Sequence, residues 1–437
     1  MNTDSAPPVV TPAPTDAAVL SDAMPIEAGR IDSLDAARAF VLILGVVFHA
    51  SLSFSPVFLG WAVQDVSTSG LVLGFIQISH SFRMATFFLL AGFFSQGLLQ
   101  RRGLAGFLRS RGFRLGLPFV AGWFLLRPLV VSGWIMGAMS LHGDYDFWTA
   151  IRTGFQSLRS LPAGLFVGTH LWFLYYLLLV TALTLVVRTI VGLFTRDPNE
   201  TGTSGGGWHR VDAAIAWLAR STWALAPLVG LTAWALWHMR RWGLDTPDQS
   251  LRLHLPVLAI YGGSFGLGWL FAREPGTIGR FGRLTLVNGV LAVLSGGAVL
   301  WLSRFQGELG QPYYFAAHLG FVIGYATLLW TLVSLTLGFF GKFFARPNAV
   351  VRYLADSSYW MYLVHLPIVV WLQVAVAEWL APWWLKLAGI SLATVALTLM
   401  TYDLFVRSTF LGALLNGRRK ARILFARPGR KPASSPH

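Results

Sequence analysis

From residue 36 to residue 406 the chain runs through long apolar windows separated by mostly short polar breaks. A helix that crosses the hydrocarbon core of a bilayer takes about 20 mostly apolar residues. Windows of that kind lie at 36–57, 71–98, 115–138, 170–193, 221–239, 255–272, 284–302, 314–339, 358–380 and 384–406. Backbone amides can be satisfied in lipid only by helices or closed barrels. The pattern therefore predicts an all-α, polytopic transmembrane bundle of about ten spans. The fifth and sixth windows are the weakest, because Pro227, Pro256 and several Gly interrupt them. Residues 1–30, rich in Ala, Pro, Thr and Asp, read as a disordered cytoplasmic tail and not as a signal peptide, which would carry a basic start and an apolar core. Residues 31–415 form the membrane domain and 416–437 a basic cytoplasmic tail. Two breaks are longer, 139–169 and 194–219; the second contains the Gly-rich stretch 201–207, a flexible linker. No internal repeat is apparent, which argues mildly against many transporter folds.

Composition agrees. Of 437 residues 55% are hydrophobic and 12% charged, where a soluble domain would have about a quarter charged. The charge is +15, and its placement carries a topology. Arg101, Arg102, Arg109, Arg111 and Arg114 follow the second window. Arg273, Arg280 and Arg283 follow the sixth, and Lys342, Arg346 and Arg352 the eighth. With the basic C-terminus, these place both termini in the cytoplasm; the opposite loops are poorer in charge and include Lys386. Scattered along membrane edges, these cations suit anionic headgroups and not a nucleic acid. The absence of Cys excludes disulfides and thiol chemistry. No Gly-rich nucleotide loop, HExxH or carboxylate cluster occurs, so no metal site is expected.

Ionisable groups at membrane depth are costly and usually functional. His49, His80, Arg83, Arg127, His318, His365 and Asp403 fall inside the windows. Arg38 and His49 are eleven residues apart, about 20° past three full helical turns and roughly 16 Å along the axis, so they share one helix face. That arrangement suits an elongated ligand whose charged and reactive ends are handled separately, and His is suited to taking and returning a proton. A histidine that packs helices is the competing reading. Arg83, near mid-membrane with His80 one turn before it, suits a carboxylate, a phosphate or a developing oxyanion; a structural ion pair is the alternative. Arg109, Arg111 and Arg114 suit phosphates or simple topology. Tyr359, Tyr362 and His365 form a polar stripe before Pro367, for which packing is the alternative.

These segments together resemble the membrane-bound acyltransferase type 3 family. Ile31–Ala39 running to Phe48-His49-Ala50 resembles its first-span signature, an Arg and a His with ten residues between. Ser81–Phe93 resembles its second-span signature, with Thr86 where the family usually has Pro and Ala91 where it has Ser. Arg111–Pro118 resembles its Arg-x-x-Arg loop, and His170–Leu174 and Ser358–Pro367 also match. The resemblance spans about residues 31–415. Phe48–Phe54 and Tyr402–Ser408 are similar to the branch that succinylates osmoregulated periplasmic glucans, with Asp403 where that branch often has Glu.

The resemblance implies a multi-pass enzyme of the bacterial inner membrane. It would move a succinyl or acetyl group from cytosolic acyl-coenzyme A to a periplasmic glucan or other glycan, with no permanently bound cofactor. His49 and Arg83 would be catalytic, His49 as general base or transient acyl carrier. Arg38, Arg109, Arg111 and Arg114 would bind acyl-coenzyme A. His80, Arg127, Tyr362 and His365 would line the substrate channel. A transporter or exporter of glycan or lipid-linked glycan is the competing class, because it too would use buried His and Arg.

Overall fold

The computed structural model describes residues 31–140, 146–159, 169–194, 212–218, 221, 225–248, 251–274 and 276–425. The tail 1–30, the linker 201–207 and the basic tail beyond residue 425 lie outside the described residues. Every regular element among the described residues is a helix. The main ones are α1 (Asp32–Ser51), α2 (Gly70–Arg111), α3 (Leu117–Ser140), α4 (Phe147–Gln156), α5 (Trp172–Phe194) and α6 (Leu225–Trp237). They continue with α7 (Leu255–Phe271), α8 (Leu286–Leu302), α9 (Tyr314–Phe343), α10 (Ala349–Val376), α11 (Trp383–Thr401) and α12 (Phe410–Asn416).

A helix occupies each of the ten apolar windows, yet length and composition qualify seven helical stretches as able to cross a membrane. Two differences from the sequence reading account for this. The apolar parts of α6 and α7 are shorter than the windows; Pro256 does not interrupt α7 but opens it, at a position where no amide partner is needed. Secondly, α2 and α3 are joined by a π-helical turn at Gly112–Gly116 into one stretch of 71 residues, Gly70–Ser140. At about 1.5 Å per residue such a stretch is several times the roughly 30 Å hydrocarbon thickness, so it cannot be one straight span. It breaks at Gly103, whose φ of 65° favours glycine. Residues 99–114, which the sequence reads as a loop, are thus largely helical and present Arg109 and Arg111 on a short helix after the break.

The outer surface is apolar: Leu71, Leu231, Leu286 and Val293 are all strongly exposed, while Ser, Thr, Arg and His side chains are buried inside. This inverts the soluble pattern and fits a lipid environment. Inside, α2 and α7 touch backbone to backbone. A Cβ at Gly92 would lie 1.9 Å from the Phe265 carbonyl oxygen, and one at Gly268 1.8 Å from that of Leu89. Only hydrogen fits at either position, which is the small-residue packing expected between membrane helices.

The connection between α1 and α2 is an ordered strap. Asp65 donates its amide to the Ser53 carbonyl (2.9 Å), and its carboxylate pairs with Lys386 at the start of α11 (2.8 Å). Both side chains are almost wholly buried, 1% and 2% exposed, so Lys386 is no simple loop cation. Lys386 also donates to the Ala377 carbonyl, and Ser67 receives the Trp383 amide. Removing one partner of such a pair leaves an uncompensated buried charge, at about 3–5 kcal/mol. Asp65→Ala is therefore expected to lower the unfolding midpoint of the purified protein markedly. The double variant Asp65→Leu with Lys386→Met should recover most of the loss in the same thermal melt.

Candidate functional site

Five side chains that the sequence singles out meet at one cavity of about 90 Å³. His49 reaches it from α1, His80 and Arg83 from α2, and Tyr362 and His365 from α10. A sixth, His170, arrives from the turn Thr169–Leu171 that precedes α5. Apart from Thr246 the remaining wall is largely apolar, including Val41, Leu42, Met84 and Phe87. Such a space holds about three waters or the reactive head of a small acyl group.

The helical register explains the convergence. On α1 the cavity-lining positions 41, 42, 45, 48 and 49 form one stripe at i, i+3 and i+4 spacing. The Arg83 guanidinium lies against α1 at Gly45, where a Cβ would be in ordinary van der Waals contact with its Nη1 at 3.6 Å. Arg83 is buried, its guanidinium carbon 4.1 Å from the centre of the Phe48 ring, and its Nε and Nη1 have no hydrogen-bond partner. His80 is within 3.2 Å of the Thr246 hydroxyl.

Two of the histidines, His365 and His170, bond to carbonyls that define their tautomers. His365 Nδ1 lies 2.7 Å from the Tyr362 carbonyl and 3.2 Å from that of Met361. A carbonyl can only accept, so Nδ1 carries the proton and Nε2 keeps its lone pair. His170 Nε2 donates to the Leu363 carbonyl at 2.9 Å, and Tyr362 donates to the His170 carbonyl at 2.8 Å. The His49 ring lies 5.3 Å from that of His365, and its buried Nδ1 has no hydrogen-bond partner.

His49 is fixed from behind by groups that the sequence does not flag. Trp61, on the strap, stacks on it at 5.7 Å and 20°. Gln373, buried on α10, accepts from the Trp61 indole N–H (2.9 Å) and donates to the carbonyls of His49 and Ala50, both at 3.0 Å. Carbonyls at a helix C-terminus lack intrahelical partners. Gln373 satisfies two of them and ties the end of α1 to the strap. No sequence signal marks Trp61 or Gln373: Trp61 lies in a loop, and Gln373 acts through contacts more than 300 residues apart. His170 stands in a family-like motif, but as the first residue of the window 170–193 it reads as a span edge and not as a group at membrane depth.

The arginines form a second group. Arg38 stands on the same α1 stripe, one turn before Val41. It pairs with Asp35 (3.1 Å), donates to the Ala355 carbonyl (3.1 Å) and lies over Phe94. Arg111 donates to the Ser95 hydroxyl (2.6 Å), the residue after Phe94, and its Nε is buried without a partner. The Arg114 carbonyl accepts from Tyr359, one turn along α10 from Ala355. Tyr359 in turn stacks on Tyr362 at 6.3 Å and 7°. Two stripes thus run from the arginines to the histidine cavity: 38 to 49 on α1 and 355 to 365 on α10. Arg109 is exposed over Phe113. Arg127 is buried over Trp123, with Nε and Nη1 unpartnered, and does not line this cavity. His318 is stacked between Trp237 and Trp242, away from the cavity. Asp403, at 0% exposure, accepts the amides of Ile423, Leu424 and Phe425 and is structural.

Residues 31–403 match the family described as an acyltransferase domain. The chain belongs to the membrane-bound acyltransferase type 3 family. Members named "Glucans biosynthesis protein C" from Escherichia coli O81 (strain ED1a) and Escherichia coli K12 are each 24% identical to it over 394 residues, 90% of this chain and 96% of theirs. No solved structure matches. In an acyltransferase of this family the Gln373 clamp has a consequence. Gln373→Leu leaves the two α1 carbonyls and the indole N–H unsatisfied and frees His49 to shift. Turnover is expected to fall about 10- to 100-fold, a displacement of roughly 1 Å being enough, in protein that inserts and purifies at the normal level.

Proposed function

We propose that this acyltransferase takes a succinyl or acetyl group from acyl-coenzyme A on the cytosolic side and places it on a hydroxyl of a glucan or other glycan in the periplasm. The observation that carries this reading is the pair of stripes that join the arginine group to the histidine cavity. Their length, roughly 16 Å between Arg38 and His49, is of the order of an extended phosphopantetheine arm. Cationic groups with unpartnered N–H at one end suit phosphates. Lone-pair nitrogens beside an unpartnered guanidinium at the other end suit acyl transfer. The names of the relatives favour a glucan acceptor.

In this reading a nitrogen of His49 takes the proton of the acceptor hydroxyl as its oxygen attacks the thioester carbonyl. Arg83 donates to the oxyanion, in surroundings where a charge-assisted hydrogen bond is strong. The C–S bond then breaks, the coenzyme A sulfur takes back the proton, and an ester and free thiol are released. The lone pair on His365 Nε2 adds an acceptor beside His49. Ten crossings with both termini cytosolic belong to the same proposal. Gly70–Ser140 is long enough to cross twice, α6 and α7 would add the short crossings, and the basic breaks alternate in sequence.

The test is purified protein in nanodiscs with succinyl- or acetyl-coenzyme A and a gluco-oligosaccharide, reading thiol release and ester formation. His49→Ala should abolish both while the protein accumulates normally; ester formation at the normal rate in that variant would exclude the mechanism. The double variant Arg111→Ala with Arg114→Ala is expected to weaken coenzyme A binding at least tenfold by calorimetry. Unchanged affinity would remove these two residues from the donor site.

A further inference from the structure

The C-terminal segment does not simply trail from the last helix. Gly417 ends α12 with φ +82°, and a Cβ there would lie 1.9 Å from Arg114 Nη2, so the guanidinium packs directly on the glycine backbone. Residues 420–425 are then fastened one after another. Lys420 donates its amide to the Arg407 carbonyl (2.9 Å) and pairs through its ammonium with Asp356, the neighbour of the Ala355 that holds Arg38. Arg407 Nε donates to the Ala421 carbonyl (2.6 Å), and Arg422 to that of Leu404 (2.9 Å). Asp403 receives the amides of Ile423, Leu424 and Phe425 at 3.0, 3.1 and 3.2 Å.

This anchoring uses the acidic groups at that end. Asp356 is taken by Lys420, Asp403 by three amides, Asp35 by Arg38 and Asp32 by Arg352. No carboxylate among the described residues pairs with Arg114, Arg418 or Arg419, and the last two are exposed beside Gly417. A fold that fastens a basic segment against a basic loop suffers repulsion unless an anion completes the cluster.

We propose that the segment 417–425 is the outer wall of the donor site and that Arg418 and Arg419 bind the 3′-phosphate of coenzyme A. This rests on the donor reading above. With the thioester at His49 and the pantetheine arm along the two stripes, the diphosphate falls at Arg38, Arg111 and Arg114. The nucleotide's 3′-phosphate then extends farthest from the cavity, to the edge that the segment forms. A lipid headgroup offers the same phosphate chemistry, and the experiment separates the two.

Arg418→Ala with Arg419→Ala changes exposed residues only and should leave folding intact. Calorimetry in zwitterionic nanodiscs, free of anionic lipid, compares coenzyme A with dephospho-coenzyme A. The expected result is about a tenfold loss of affinity for coenzyme A and little change for the dephospho form. Unchanged affinity for both removes these arginines from the coenzyme A site and overturns the proposal. An equal loss for both overturns the 3′-phosphate assignment. Thiol release by the unmodified protein is read in parallel. Its absence with coenzyme A binding intact defeats the catalytic reading and leaves this one standing, whereas its presence with unchanged affinities defeats only this one.

Discussion

A guanidinium buried against an aromatic ring, with no carboxylate pairing with it among the described residues, governs the centre of this protein. Arg83 is 5% exposed; it meets the face of Phe48 at 4.1 Å, and two of its nitrogens have no hydrogen bond. Cation–π attraction returns about 0.5–2 kcal/mol, less than the several kcal/mol that burying an ion costs. The rest of the bundle must supply that difference in packing. It does so where α2, which carries Arg83, meets α7 through Gly92 and Gly268 at backbone contact. A charge kept in place this way is poised for a group that acquires negative charge next to it. In the proposed acyl transfer that group is the oxyanion, which would satisfy the Arg83 N–H groups more fully than a ground-state carbonyl.

The same logic extends to His49. An imidazole whose buried nitrogen has no partner would be free to rotate or shift unless its backbone and one ring face were fixed. Gln373 and Trp61 fix both, and the strap that carries Trp61 is itself fixed by Asp65 and Lys386. The buried ion pair thus lies four residues along the strap from the Trp61 that stacks on the imidazole. Its worth is less in net stability, which a buried pair seldom provides, than in making the strap rigid enough to serve as a wall.

Much of this was legible in the sequence. The ten apolar windows each hold a helix, because length and hydropathy are local properties. His49, His80, Arg83, Tyr362 and His365 share a cavity, because each is a polar group that a lipid-facing position would not tolerate and so must point inward. The features that were not legible are of two kinds. Helix ends depend on a single Gly103 or on a π turn, so the apparent loop at 99–114 is largely helix. Partners such as Gln373 for His49 and Asp65 for Lys386 depend on contacts over 300 residues apart, and a Gln or a loop Asp looks ordinary until its neighbour is known.

Asp403 shows how far a resemblance can be pressed. Placed near the end of the last long window and matched to a family acid, it reads as a functional carboxylate at membrane depth. Its oxygens are instead used by three successive amides of the chain itself. An acid in that position therefore organises the C-terminal segment, and a longer Glu could reach the same amides with a modest shift of that segment. Asp403 does not line the cavity, so its chemistry is that of a local anchor. The histidine end and the arginine end of the site thus share α1, α2 and α10, and Asp403 touches neither: it holds the C-terminal segment to the end of the last long helix.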